Sequence, residues 1–82
     1  MKKLIVLGPG CARCDRLADT VRQAADELGL DYELEKITDV REFPRYGVML
    51  TPGLVVDGQL KSQGKVPSLD ELVGLIGPGA TG

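Results

Sequence analysis

The 82-residue chain contains no histidine and no tryptophan, and aromatic residues make up only 4% of it. Without histidine it lacks the commonest general base near neutral pH and the commonest metal ligand. With so few aromatics, its core must be built from Leu, Ile, Val and Ala. Basic charge is scarce as well. The net charge is −2, which argues against a domain whose main task is to hold nucleic-acid phosphate on a basic face. Long apolar runs are missing. The longest early one, Leu4-Ile5-Val6-Leu7, is far short of the ~20 residues that a bilayer span needs. It is also too short for a signal-peptide core, although Lys2 and Lys3 precede it. A cytoplasmic monomer that engages neither membrane nor nucleic acid is expected. Cysteine is limited to two residues, and a structural disulfide is unexpected in the cytosol. The pair therefore points to redox chemistry or metal binding.

What is present marks a globular chain: 43% of residues are hydrophobic and 27% charged. The length allows one domain, expected over residues 1–76. A small, uncharged, breaker-rich tail follows from Gly77 to Gly82.

Lys3 to Leu7 is an unalternated apolar strand, as expected for one buried on both faces. Gly8-Pro9-Gly10 stops it. A helix is predicted from Ala12 to Leu28, with Cys14, Leu17, Ala18, Val21, Ala24 or Ala25, and Leu28 on one stripe. Arg22 and Asp26 lie off that stripe at pairing distance, and Gly29 ends the helix. Asp31 to Ile37 alternates apolar and charged residues, which suits an edge strand. Thr38 is placed to cap a short helix from Asp39 to Tyr46, shortened or kinked by Pro44. Leu54-Val55-Val56 is the third strand, Asp57-Gly58 a hairpin turn, and Gln59 to Gln63 the return strand. Ser68-Leu69-Asp70-Glu71 is a capping box that opens a last helix to Ile76. The order is β-α-β-α-β-β-α. A right-handed first crossover makes the first two strands parallel. With the apolar strands central and the charged ones outside, the predicted fold is α/β: a four-stranded mixed sheet of order 2-1-3-4 with helices on both faces.

Cys11 and Cys14 are three residues apart, a spacing that about one random pair in forty would show. On a helix this spacing puts the Cα atoms ~5 Å apart, within disulfide range. Cys11 belongs at the helix start, where unpaired N–H groups favour a thiolate. Arg13 adds positive charge beside it and Asp15 partly opposes that charge. Cys14 lies on the core-facing stripe and is shielded. Cys11 is therefore the attacking thiol and Cys14 the one that resolves the mixed disulfide. A stabilising crosslink is the weaker reading, because closing so short a loop removes little unfolded-state entropy. Gly8-Pro9-Gly10 is no nucleotide loop. A third glycine would be needed where Arg13 stands, and no Gly-Lys-Ser/Thr follows. These glycines instead bring the backbone close to Cys11, and Gly10 leaves its thiol open.

Cys11-Ala12-Arg13-Cys14 between strand and helix, followed by Tyr46-Gly47-Val48-Met49-Leu50-Thr51-Pro52 ahead of an aliphatic strand, resembles the thioredoxin superfamily. Gly64-Lys65-Val66-Pro67-Ser68 and the short length make the chain similar to the small thioredoxin-like, glutaredoxin-sized proteins of archaea and anaerobic bacteria. The resemblance implies the thioredoxin fold and a thiol–disulfide oxidoreductase that reduces protein disulfides. It implies Cys11 as nucleophile, Cys14 as resolving thiol, Pro52 as a cis proline against the disulfide, and Thr51 offering its backbone to an extended substrate. Its implied partners are disulfide-containing proteins and a thioredoxin-reductase-like electron donor. It implies no cofactor besides the Cys11–Cys14 disulfide.

The chain also departs from the superfamily pattern. Gly10 stands where thioredoxin proper has an aromatic residue, the spacer is Ala12-Arg13, and no acid lies on the first strand. Gly64-Lys65 offers only one of the glycines that hold glutathione in glutaredoxins. Two other readings share the same cysteines. One is a copper-type metal-binding module, since soft thiolates suit Cu(I), although that fold continues with a hairpin after its first helix. The other is a redox-sensing adaptor.

Overall fold

In the computed structural model, which describes residues 2–10 and 12–77, a central strand is flanked by a parallel and an antiparallel neighbour. The elements are β1 (Lys2–Leu7), α1 (Ala12–Glu27), β2 (Tyr32–Ile37), a 3-10 helix (Val40–Tyr46), β3 (Gly53–Val56), β4 (Gln59–Gln63) and α2 (Leu69–Ile76). Cys11 and the part of the expected tail from residue 78 onward lie outside the described residues. The sheet order is β2-β1-β3-β4, as the charge distribution along the strands predicts. Among the described residues no helix is long and apolar enough to cross a membrane.

The unalternated run of β1 is explained by its two covered faces. Leu4 and Val6 join Leu17, Val21, Leu54, Leu72 and Ile76 in the core beneath α1 and α2. Ile5 and Leu7 point the other way, into a smaller core with Phe43, Val48 and Val55. The predicted stripe of α1 is the buried one: Cys14, Leu17, Ala18, Val21, Ala24 and Ala25. Gly29 ends the helix at φ +66°, with the Leu30 N–H donating to the Ala25 carbonyl at 3.1 Å.

Three local expectations change. Arg22 pairs with Asp19 at 3.6 Å, one turn toward the N-terminus, rather than with Asp26. The second helix is of 3-10 type. Its cap is Asp39, whose carboxylate accepts from the Arg41 N–H at 2.9 Å, rather than Thr38. Pro44 supplies no backbone N–H and limits the segment to two tight turns that bury Phe43. In β4 the register slips between Leu54↔Ser62 and Val55↔Leu60, leaving Lys61 as the extra residue of a bulge. The slip lets Leu60 pack on the smaller core while Ser62 stays opposite Leu54. The capping box forms as predicted: the Glu71 N–H donates to Ser68 Oγ at 3.2 Å. Lys65 first, and then the Ser68 backbone N–H, hold the Glu71 carboxyl below the usual carboxylate range.

The hairpin turn anchors the N-terminal strand. Asp57 and Gly58 both adopt positive φ, at 50° and 84°. The Asp57 carboxylate accepts from the Lys3 N–H at 2.9 Å and from Lys2 Nζ at 3.2 Å. The backbone bond from Lys3, reinforced by Lys2, pulls the Asp57 carboxyl below its ordinary value. A depressed folded-state pKa contributes stability above the unfolded value, and that contribution is lost as pH falls through the folded one. Asp57→Asn keeps the turn and the acceptor but does not titrate. Its urea midpoint should therefore fall less steeply than that of the wild type from about pH 4 downward. The difference should be at most about 0.5–1 kcal/mol, because half of the side chain faces water. Parallel pH profiles for the two chains would remove the assignment.

Candidate active site

β1 runs out at Leu7, and Gly8 continues its line with an N–H donated to the Ile37 carbonyl at 2.9 Å. The chain reverses through Pro9 and Gly10, both exposed, and enters α1 at Ala12. Gly10 has φ +87° and is exposed, and among the described residues beyond its chain neighbours nothing stands within 4 Å of where its side chain would be. Cys14, the third residue of α1, points inward and is 2% exposed.

The Cys14 sulfur lies in a seat formed by backbone. A β-carbon on Gly8 would overlap Cys14 Sγ, stand 3.1 Å from Cys14 Cβ and come within 4.0 Å of Pro52 Cα. The Thr51–Pro52 peptide bond is cis, as the resemblance implies, and Pro52 is fully buried beside β3. The end of β1, the first turn of α1 and the segment leading into β3 thus converge on one sulfur. Thr51 is half-buried at the edge of this convergence. Cys11, the residue just before Ala12 in the sequence, lies outside the described residues.

The charged residues of the first turn are engaged with the sheet side of the site. Arg13 Nη2 donates to the Gly64 carbonyl at 3.2 Å. The Gly64 N–H in turn donates to the Pro52 carbonyl at 2.9 Å. Gly64 has φ +79°, and the Leu50 side chain packs 3.2 Å from where a β-carbon would be, so only glycine fits there without strain. One residue earlier, Gln63 Oε1 accepts from the N–H groups of Met49 and Leu50 at 2.9 and 3.3 Å. That clamp holds two large apolar side chains in water beside Pro52: Met49 is 87% exposed and Leu50 61%. Asp15, read from the sequence as opposing Arg13, accepts instead from Lys36 Nζ at 2.8 Å. Its charge is balanced by Lys36, the next-to-last residue of β2, and both side chains remain exposed.

The structure therefore brings Gly10, Arg13, Cys14, Asp15, Thr51 and Pro52 to one end of the sheet. Sequence reasoning did not single out Lys36 or Gln63 or the Arg13–Gly64 contact, and it gave Gly8 no part in seating Cys14. The only local signal was the glycine at position 8 between a buried strand and the Cys-x-x-Cys turn.

The fold and this site define a class. The chain belongs to the thioredoxin domain family, whose model matches residues 1–77. It is 43% identical over 72 residues to a thioredoxin of Methanothermobacter thermautotrophicus, covering 88% of this chain and 94% of that one. A thioredoxin of Methanocaldococcus jannaschii is 39% identical over 67 residues, covering 82% of this chain and 77% of the relative. Among solved structures, a Nu-class GST from Haemonchus contortus aligns with a TM-score of 0.42 and 24% identity, over 90% of this chain and 34% of that longer one.

Proposed function

We propose that this protein is a thiol–disulfide oxidoreductase that reduces protein disulfides through Cys11 and Cys14. The observation that carries the reading is the seat of Cys14: a buried sulfur in the first turn of a helix, against a backbone glycine and a cis proline, in a chain of the thioredoxin domain family.

In the first step the Cys11 thiolate attacks one sulfur of a substrate disulfide. A Cys11–substrate disulfide forms, and the other substrate sulfur leaves as a thiolate and takes a proton from solvent. In the second step the Cys14 thiolate attacks Cys11 Sγ. The Cys11–Cys14 disulfide closes and the second substrate sulfur departs. Two electrons pass to the substrate, and an external dithiol donor of the reductase class restores the chain. The helix start lowers the cost of negative charge on the attacking sulfur. Burial keeps Cys14 away from bulk substrate until the mixed disulfide delivers Cys11 to it. Thr51 offers backbone to an extended substrate segment, Pro52 closes the wall beside the sulfur, and open space at Gly10 admits the incoming disulfide. A monomer acting in the cytoplasm on disulfide-containing proteins fits this chemistry.

Insulin reduction with dithiothreitol as donor tests the reading. The wild type should accelerate precipitation of the insulin B chain well above the dithiothreitol background, and Cys11→Ser should return it to background. A wild type no faster than dithiothreitol alone overturns the proposal. Tight stoichiometric Cu(I) binding by such an inactive chain would move the assignment to metal delivery.

A further inference from the structure

We propose that Arg13 is a positioning residue that ties the cysteine-bearing turn to the exposed Met49–Leu50 segment before β3, which forms one wall of a groove for substrate, and that it thereby favours polypeptide disulfides over small ones. This rests on the oxidoreductase reading. Three chain segments surround the Cys14 seat, and one turn links two of them. Gly64 donates its N–H to the Pro52 carbonyl and accepts from Arg13 at its own carbonyl, so a single residue joins the lead-in to β3 with the first turn of α1. Its neighbour Gln63 clamps the N–H groups of Met49 and Leu50, and the Leu50 side chain rests on Gly64. Through Gly64, 51 residues from Arg13 in the sequence, the exposed pair Met49 and Leu50 is thus held at a set position relative to Arg13.

Arg13 suits this task for chemical reasons. Its guanidinium is planar, permanently charged and donor-only, so a carbonyl oxygen is a natural partner. The bond is directed at the sheet side of the groove, which makes the spacer residue a strap in addition to a source of positive potential. A small disulfide needs only the thiol. A polypeptide disulfide also brings flanking residues that must lie against Met49, Leu50 and the Thr51 backbone, and it benefits from a wall already in place. Fixing that wall therefore acts on the binding of long substrates.

The test compares insulin with the small disulfide dithiobis-nitrobenzoate, using the wild type, Arg13→Ala and Arg13→Lys, together with amide exchange by NMR. In Arg13→Ala the ratio of kcat/KM for insulin to that for the small disulfide is expected to fall about threefold to tenfold, mainly through a higher KM for insulin. The Gly64 amide should exchange about fivefold faster or more, while the β1 and β3 amides keep their protection. Arg13→Lys retains charge and a donor and should restore part of both. Equal losses on both disulfides would mean that Arg13 acts on the thiolate alone, which overturns the proposal. Unchanged Gly64 exchange in Arg13→Ala overturns the strap even with the oxidoreductase reading intact. A wild type that reduces neither disulfide overturns that reading, and the role of the groove with it.

Discussion

Replacing Cys14 by serine is expected to turn a multiple-turnover reductase into a chain that reacts once and stays attached to its substrate. Serine keeps the size of the side chain, but its hydroxyl does not ionise near neutral pH and cannot attack the mixed disulfide. With no small thiol present, the Cys11–substrate species should accumulate to stoichiometric amounts. Turnover should fall by a factor on the order of a hundred or more, since intramolecular resolution is the step removed. Non-reducing gels and intact-mass measurement read the trapped species directly. Cys11→Ser should trap nothing, because Cys14 is 2% exposed and a bulk disulfide cannot align with its sulfur. A Cys14→Ser chain that still turns over like the wild type would falsify the division of roles. So would equal trapping by both variants. A melting curve on each variant separates loss of chemistry from loss of fold, because exchanging a buried sulfur for a more polar hydroxyl costs desolvation.

Gly8→Ala should have the next largest effect, through one methyl group. The new carbon would occupy space that Cys14 Sγ already fills, with Cys14 Cβ at 3.1 Å and Pro52 Cα at 4.0 Å behind it. Either the sulfur rotates out of its seat or the end of β1 moves away from α1. Overpacking of this kind destabilises by ~1–3 kcal/mol, a large share of what a domain this small has. Catalysis should suffer at the second step. A displaced Cys14 meets the mixed disulfide in poor alignment, so resolution is expected to slow about tenfold while the first attack by Cys11 continues. Stopped-flow single turnovers give the two steps separately. A double-mutant cycle locates the cause: in a Cys14→Ala background the sulfur is gone, and the added methyl should cost clearly less. An identical penalty in both backgrounds would place the strain elsewhere.

Much of the fold was legible along the chain. Leu4 to Leu7 lacks alternation because both faces of β1 are covered, and that places the strand in the middle of the sheet. Asp31, Glu33 and Glu35 mark β2 as an edge, where Lys3 reaches across to Glu33 and Glu35 at 3.6 and 3.3 Å. Asp57-Gly58 and Ser68-x-x-Glu71 are short signals whose backbone requirements are local, and both form as read. Less was legible where two local choices were nearly equivalent. Thr38 and Asp39 are both good caps, and the one whose carboxylate reaches the Arg41 N–H prevailed. Arg22 had an acid on either side and took Asp19. Pro44 announced a disturbance without saying that the segment would wind as a 3-10 helix.

The sequence by itself determined the element order and the strand order, and it sets two cysteines three residues apart between the first strand and the first helix. Periodicity, caps and turn residues act over a few residues and are written where they act. Only the tertiary structure decided that the Gly8 backbone would become the seat of Cys14. It likewise gave Asp15 to Lys36 and sent Arg13 to the Gly64 carbonyl. These contacts join residues far apart in the chain that meet only after β1 is placed between β2 and β3. Their distances depend on sheet register and helix placement, which no local pattern of residues encodes.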